Sequence, residues 1–187
     1  MIEMIVRKLG VEKLPLDGAL IINPTESNDE RGVFFKLFTE ELLKENGISP
    51  HFCEQYISIS KKGVVRGLHY QAGKSSQAKL VQCIKGEAYD VILDLRRSSP
   101  TFGRWTGVML SEKTRQTIFI PRGFAHGFAA LSEGATLHYL ADNNYSQKDE
   151  RGVRWDDPAL AIDWKVGKPI VNEKDRLLPL FKDAEYF

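Results

Sequence analysis

The segment GVVRGLHYQ, residues 63–71, sets an arginine and a histidine three positions apart in a run that otherwise reads as a buried strand. A core strand takes apolar residues alternating across the pleat, and Val64, Val65 and Leu68 supply them, so Arg66 and His69 are there for something other than packing. A neutral imidazole, with a reference pKa of about 6.5, is matched to taking a proton near neutrality. A guanidinium offers a rigid fork of donors that fits phosphate oxygens. Together they can carry out proton transfer beside an anion, provided that both face one cavity. Strict alternation would send Arg66 and His69 to opposite faces, but Gly67 between them permits a bulge that re-aims one side chain. A second imidazole, His126, lies in FIPRGFAHGF. Taken alone, such histidines are more often hydrogen-bonded core residues, and their standing rests on the residues around them.

The elements that must position these groups are short and evenly spaced. Apolar or alternating segments bounded by turn residues recur as GALIINP, GVFFKLF, FCEQYISIS, VVRGLHY, KLVQCIKG, EAYDVILDLR, GRWTGVML, QTIFIP, HGFAAL and ATLHYLA, which predicts an all-β sandwich or barrel. TEELLKENG reads as a helix, with Thr39 as N-cap, acids in the first turn and Gly47 just past its end, and is expected to cap the sheet edge. From about residue 158 the pattern loosens into a Pro-, Trp- and charge-containing tail that is expected to wrap the barrel, with Trp105, Trp155 and Trp164 as core or tail anchors. No repeat or low-complexity tract divides the chain, so residues 1–187 are expected to form one domain.

Composition bounds the function. A chain of 187 residues can bury roughly 70% of its unfolded surface in one core. Lys+Arg 26 against Asp+Glu 25 gives a formal charge of +1, which draws the protein to neither nucleic acid nor an anionic membrane. Cys53 and Cys83 lie in apolar runs and read as buried free thiols of a reducing compartment. No apolar run approaches a membrane span, and MIEMIVRKLG places acids and bases where a signal peptide needs an apolar block, so a cytoplasmic protein is expected.

The spacing from Gly63 to His69, with Pro121-x-Gly123-x-x-His126 later, resembles the two signature motifs of the cupin superfamily. It implies a cupin-type double-stranded β-helix, or jelly roll, with short peripheral helices. Metal-binding cupins continue the first motif as His-x-His and then Glu; here Gln71 holds the second position, and QAGKSSQ offers no ligand to rebuild the set, so acid–base chemistry without a metal is expected. More specifically, RGLHYQ, QAKLVQCIKGEAYDVILDLRRSSPTFGRW, IPRGFAHGFAALSEGATLHYLADNNYS and WDDPALAIDW, in this order, resemble the dTDP-4-dehydrorhamnose 3,5-epimerase family over nearly the whole chain. That resemblance implies a homodimer without a cofactor that inverts two carbons of a nucleotide-linked 4-keto sugar. The C4 ketone acidifies the hydrogens on C3 and C5, and inversion then needs a base, an opposed acid and a stabilised enolate. By the resemblance, His69 is the base, Asp175 folds back to hold it, Tyr139 is the acid and Lys79 lies near the developing enolate oxygen. It also implies that Arg31 joins Arg66 as a phosphate ligand and that Tyr145 stacks on the nucleotide base.

The chain departs from the family on the substrate side. Lys36 stands where the family commonly has Glu, Glu54-Gln55-Tyr56 where it commonly has Gln-Asp-Asn, and Leu140 after Tyr139 where it often has Lys. An acid at position 54 would repel a pyrophosphate unless a base pairs with it, and Lys36 is one candidate. The chemistry looks intact while nucleotide and sugar identity stay open. Beside the 3,5-epimerase stand a one-centre epimerase or 3,4-ketoisomerase, the latter weakened by Gln71, and a non-catalytic sugar-nucleotide-binding cupin. GALIINP is expected to be an edge strand that exchanges between two subunits, taking Arg31 and Lys36 to the partner's site.

Overall fold

A computed structural model describes residues 8–49 and 51–187, so the reading of MIEMIVR as lacking a signal segment lies outside the described residues. Thirteen strands form among them: β1 (Gly10–Lys13), β2 (Leu20–Asn23), β3 (Thr25–Asp29), β4 (Gly32–Lys36), β5 (Glu54–Ser60), β6 (Val65–Gln71), β7 (Lys79–Lys85), β8 (Glu87–Asp94), β9 (Trp105–Ser111), β10 (Thr117–Ile120), β11 (Phe124–Ala130), β12 (Ala135–Ala141) and β13 (Glu150–Gly152). All ten segments read as strands from the sequence are among them. Two helices accompany them, α1 (Glu40–Glu45) and α2 (Glu173–Arg176).

A six-stranded sheet runs β1-β2-β10-β7-β12-β5 and a five-stranded sheet runs β13-β6-β11-β8-β9, with β3–β4 as a separate hairpin. Side-chain period two sorts each strand between two environments. Ile21, Val81, Ile118, Leu137 and Tyr139 from the first sheet meet Ala88, Ile92, Phe124 and Phe128 from the second in one core, giving the cupin-type jelly roll. The alternate residues of β8 and β11, Val91, Leu93, Ala125 and Ala129, are also buried, because the C-terminal tail lays Leu160 and Trp164 over them. The Trp164 indole donates to the Trp155 carbonyl and that of Trp105 to the Leu160 carbonyl, both at 2.8 Å, which fixes the tail on the sheet.

Three expectations are corrected. Helix α1 has the expected ends, with the Thr39 hydroxyl accepting from Leu42 N–H at 3.2 Å and Gly47 at φ +72°. It covers a face rather than an edge: Leu43 is buried with Leu20, Ile22 and Leu80, the outward residues of the six-stranded sheet. β2 is not an edge strand, since it lies between β1 and β10. Cys53 is exposed because it precedes β5, whereas Cys83 is buried in β7, and both are free thiols.

Candidate active site

The bulge that Gly67 permits is present in the β6–β11 register. His69 pairs with His126 and Arg66 with Phe128, so three steps along β6 match two along β11. Because His126 and Phe128 share a face, so do Arg66 and His69, while Val65 and Leu68 are buried on the other side. Only glycine fits between them. At φ +113°, a Cβ on Gly67 would stand 2.6 Å from the Gly127 Cα and 2.7 Å from the His126 carbonyl oxygen.

His69 lies 2.7 Å through Nε2 from Asp175 Oδ1, and Asp175 Oδ2 accepts the Gly67 N–H at 3.1 Å. Asp175 reaches this place on α2, whose N-cap Asn172 accepts the Asp175 N–H at 2.7 Å. Burial alone would raise the Asp175 carboxyl, but the His69 hydrogen bond and charge, the Gly67 N–H and Lys174 together hold it below the ordinary carboxylate value. An ionised carboxylate accepts only, so Nε2 carries the proton that points at Asp175 and Nδ1 is the nitrogen left for chemistry.

Two adjoining lobes open from this histidine. The outer, of about 390 Å³, is lined by Glu54, Gln71, Gln77, Tyr145 and Glu150. The inner, of about 200 Å³, is lined by Ser58, Arg66, His126 and Tyr139. Tyr56, His69 and Lys79 border both. Burial drives the Lys79 ammonium below its ordinary value, opposed by the charges of Glu54, Asp90 and Glu150. Burial also drives the Tyr139 hydroxyl strongly upward, so it is a neutral donor at any physiological pH. The Arg66 Nε donates to Ser60 Oγ at 3.1 Å. Tyr145 is half exposed and donates to Glu150 at 2.8 Å, and Lys174 pairs with that same carboxylate at 2.6 Å.

Some sequence-predicted residues lie elsewhere. Arg31 is at the tip of the β3–β4 hairpin, exposed and held by Asp29 through Nε at 3.1 Å, and neither it nor Lys36 lines the cavity of its own chain. The expected Lys36–Glu54 pair is replaced: Glu54 accepts from Gln77 Nε2 at 3.2 Å and from the Tyr145 N–H at 3.4 Å. The reading of the sequence missed Asp90, whose Oδ2 is 2.8 Å from His126 Nε2 and whose Oδ1 is buried without a partner. Its signal was an acid on the inward face of EAYDVILD, between Ala88 and Ile92. Gln71, at the position of the absent second ligand, accepts the Ser146 N–H at 2.9 Å. No group of three His, Cys, Asp or Glu side chains able to hold a metal ion occurs among the described residues.

The chain and its architecture have counterparts. A family model described as dTDP-4-dehydrorhamnose 3,5-epimerase matches residues 13–183. The chain is 43% identical over 180 residues to dTDP-4-dehydrorhamnose 3,5-epimerase of Shigella flexneri, covering 96% of this chain and 99% of that protein. It is similar in fold to the crystal structure of dTDP-4-dehydrorhamnose 3,5-epimerase from Elizabethkingia anophelis NUHP1, with a TM-score of 0.92 at 44% identity over 96% of this chain and 100% of the other. A Legionella pneumophila Philadelphia 1 epimerase crystallised in complex with dTDP-4-keto-L-rhamnose superposes with a TM-score of 0.90 at 39% identity, over 95% of each chain.

Proposed function

Because the chain belongs to the dTDP-4-dehydrorhamnose 3,5-epimerase family, we propose that it converts dTDP-4-dehydro-6-deoxy-D-glucose to dTDP-4-dehydro-L-rhamnose by removing and returning a proton at C3 and at C5. The observation that carries this reading is the convergence of His69, Lys79 and Tyr139 on the inner lobe, with His69 tied to a buried carboxylate. The His69 Nδ1 takes the proton, the C–H electron pair becomes the enolate double bond, and the negative charge moves to the C4 oxygen. Asp175 holds the imidazole and stabilises the imidazolium that results. Lys79 supplies positive charge beside the oxyanion in a site poor in water, where a fixed cation acts more strongly than in bulk. Tyr139 then protonates the carbon from the opposite face, and proton exchange with solvent resets both groups. The step balances with protons alone, so the proposal includes no cofactor and no metal.

Arg66 is our candidate for the diphosphate, and Tyr145 our candidate for the nucleotide base at the mouth of the outer lobe. Glu54 and Tyr56 are proposed to border the substrate. Arg31 and Lys36 enter the site only from a second copy, and a homodimer is proposed on two supports. β5 is an edge strand with its polar residues toward the cavity and Ile57 and Ile59 outward, 56% and 69% exposed. Val33 and Phe34 on the hairpin are also exposed. A monomer gains nothing from either arrangement. One domain, acting in the cytoplasm, completes the proposal; two free thiols are compatible with it, and no helix among the described residues is long and apolar enough to cross a membrane.

The test is incubation with dTDP-4-keto-6-deoxyglucose in deuterated water, followed by NMR of the ring protons. Deuterium at C3 and C5 with formation of the L-rhamno product is expected. Exchange at one centre would make it a one-centre epimerase, and exchange with no nucleotide keto sugar would make it a binding protein.

A further inference from the structure

Strand β5 carries Tyr56 and Ser58 on its cavity side, and its register with β12 sets Tyr56 directly opposite Tyr139. Residues so placed have Cβ atoms about 4.5–5.5 Å apart, close enough for two flat rings to lie against each other. They do so here, with ring centroids 4.6 Å apart and planes 12° from parallel. The next cavity-facing residue of the same strand brings Ser58 Oγ to 3.4 Å from the Tyr139 hydroxyl. Across the site, the His126 ring meets the Tyr139 ring edge-on at 6.0 Å. Tyr139 is therefore braced at its face and its hydroxyl by one strand and along its edge by another. The Tyr56 hydroxyl has no hydrogen-bond partner among the described residues, and burial with the Glu54 charge pushes it up to about 12, so what it offers the site is a ring and not a titrating group.

We infer that Tyr56 is a positioning residue for Tyr139: its stacked ring fixes the line along which the Tyr139 hydroxyl meets the sugar, and so governs proton return and not proton removal. The inference rests on the proposed role of Tyr139 as the acid. A phenolic oxygen sits at the end of a long lever, and a small tilt of an unbraced ring displaces it appreciably. A misplacement of about 1 Å can cost on the order of 10²-fold in rate. The base is indifferent to this, since His69 stands on the opposite sheet and is held by Asp175, which the Gly67 N–H holds in turn.

The experiment compares Tyr56→Phe, which keeps the ring, with Tyr56→Ala, which removes it, on the full-length enzyme with dTDP-4-keto-6-deoxyglucose in deuterated water. Tyr56→Phe is expected to retain deuterium incorporation and inversion within about threefold of the unaltered protein. Tyr56→Ala is expected to retain incorporation within about threefold while inversion falls by about tenfold or more, with kcat carrying the loss. Tyr56→Leu, which fills the space without a flat ring, repeats the comparison if the alanine variant does not fold. Equal losses of incorporation and inversion, a change confined to KM, or a Tyr56→Phe variant as impaired as Tyr56→Ala would each overturn the inference and leave Tyr56 as a wall of the pocket. Failure of the underlying reading looks different: the unaltered protein would incorporate no deuterium, or Tyr139→Phe would leave the ratio of incorporation to inversion unchanged, and the inference would fall with it.

Discussion

The two histidines of the cavity are cross-strand neighbours, and each turns Nε2 to a buried aspartate at hydrogen-bond distance, 2.7 Å for His69–Asp175 and 2.8 Å for His126–Asp90. They differ in what surrounds them. The His69 side chain is 31% exposed and its carboxylate has both oxygens engaged; the His126 side chain is 7% exposed and Asp90 keeps one oxygen without a partner. On the proposed mechanism, only the open pair is placed to take a proton from a substrate carbon. The sealed pair keeps one buried carboxylate oxygen unsatisfied, which costs upward of about 1–3 kcal/mol, and the Asp90 charge works against burial at Lys79. One constellation of residue types is thus placed at two depths, and we propose two uses for it: moving a proton at His69, and opposing the loss of charge at Lys79.

The strongest way to break this comparison is to exchange the fates of the two pairs. On the proposed mechanism His69→Ala loses deuterium incorporation and inversion together, by about 10²–10⁴-fold. It also strips Asp175 of its main partner, and a buried charge so left costs about 3–5 kcal/mol. His69→Asn, which still offers a donor, should therefore recover stability in thermal melts but not activity. If His126→Ala abolished incorporation equally, the assignment of the open imidazole as base would be wrong.

Asp175→Asn comes next, with incorporation and inversion both lower by about 10²-fold, because the amide can no longer hold the imidazole with its free Nδ1 toward the cavity. A smaller effect, about tenfold on turnover at neutral pH, is expected for Asp90→Asn. Loss of that charge lowers the Lys79 pKa further, so the alkaline limb of kcat/KM, where the ammonium is lost as pH rises, should move to lower pH. Asp175→Asn should leave that limb in place, and a pH profile of the three proteins separates the two pairs.

The smallest expected effect is on acid stability. Asp175 is held below its ordinary value of 3.8, so its stabilising contribution is fully present above that pH and fades as pH falls through the lowered folded-state value. Comparing melting temperatures at pH 6 and pH 3, the drop should be about 2–4 °C smaller in Asp175→Asn than in the unaltered protein.

What the residues alone disclosed follows from how local each signal is. Period-two alternation marked ten strands, whereas β1, β3 and β13 were missed because GVEK, TESND and ERG carry almost no apolar pattern and pair only along the edges of their neighbours. The bulge at Gly67 was legible, because a glycine between two polar residues of a core strand has few other uses. Asp175 was not: in NEKDR it looks like an exposed turn acid, its helix is four residues long, and only resemblance to a family brought it to the site. Arg31 and Lys36 lie outside the cavity for a related reason, since the hairpin that carries them pairs only with itself and belongs to neither of the sheets that line it. Tyr56 was visible as a departure, but its partner was fixed by strand register, which one sequence does not specify.

The order in which the chain is made gives the His69–Asp175 contact a further meaning. The two residues are 106 positions apart, and every strand of both sheets lies before Asp175. A chain emerging N-terminus first, at about 5–20 residues per second, has its imidazole and most of its barrel in hand for several seconds before the carboxylate exists. On the proposed mechanism, full proton abstraction is therefore a property that only a finished molecule has, and a prematurely released chain ending after β13 would lack both the carboxylate that holds its base and the tail that covers its second sheet.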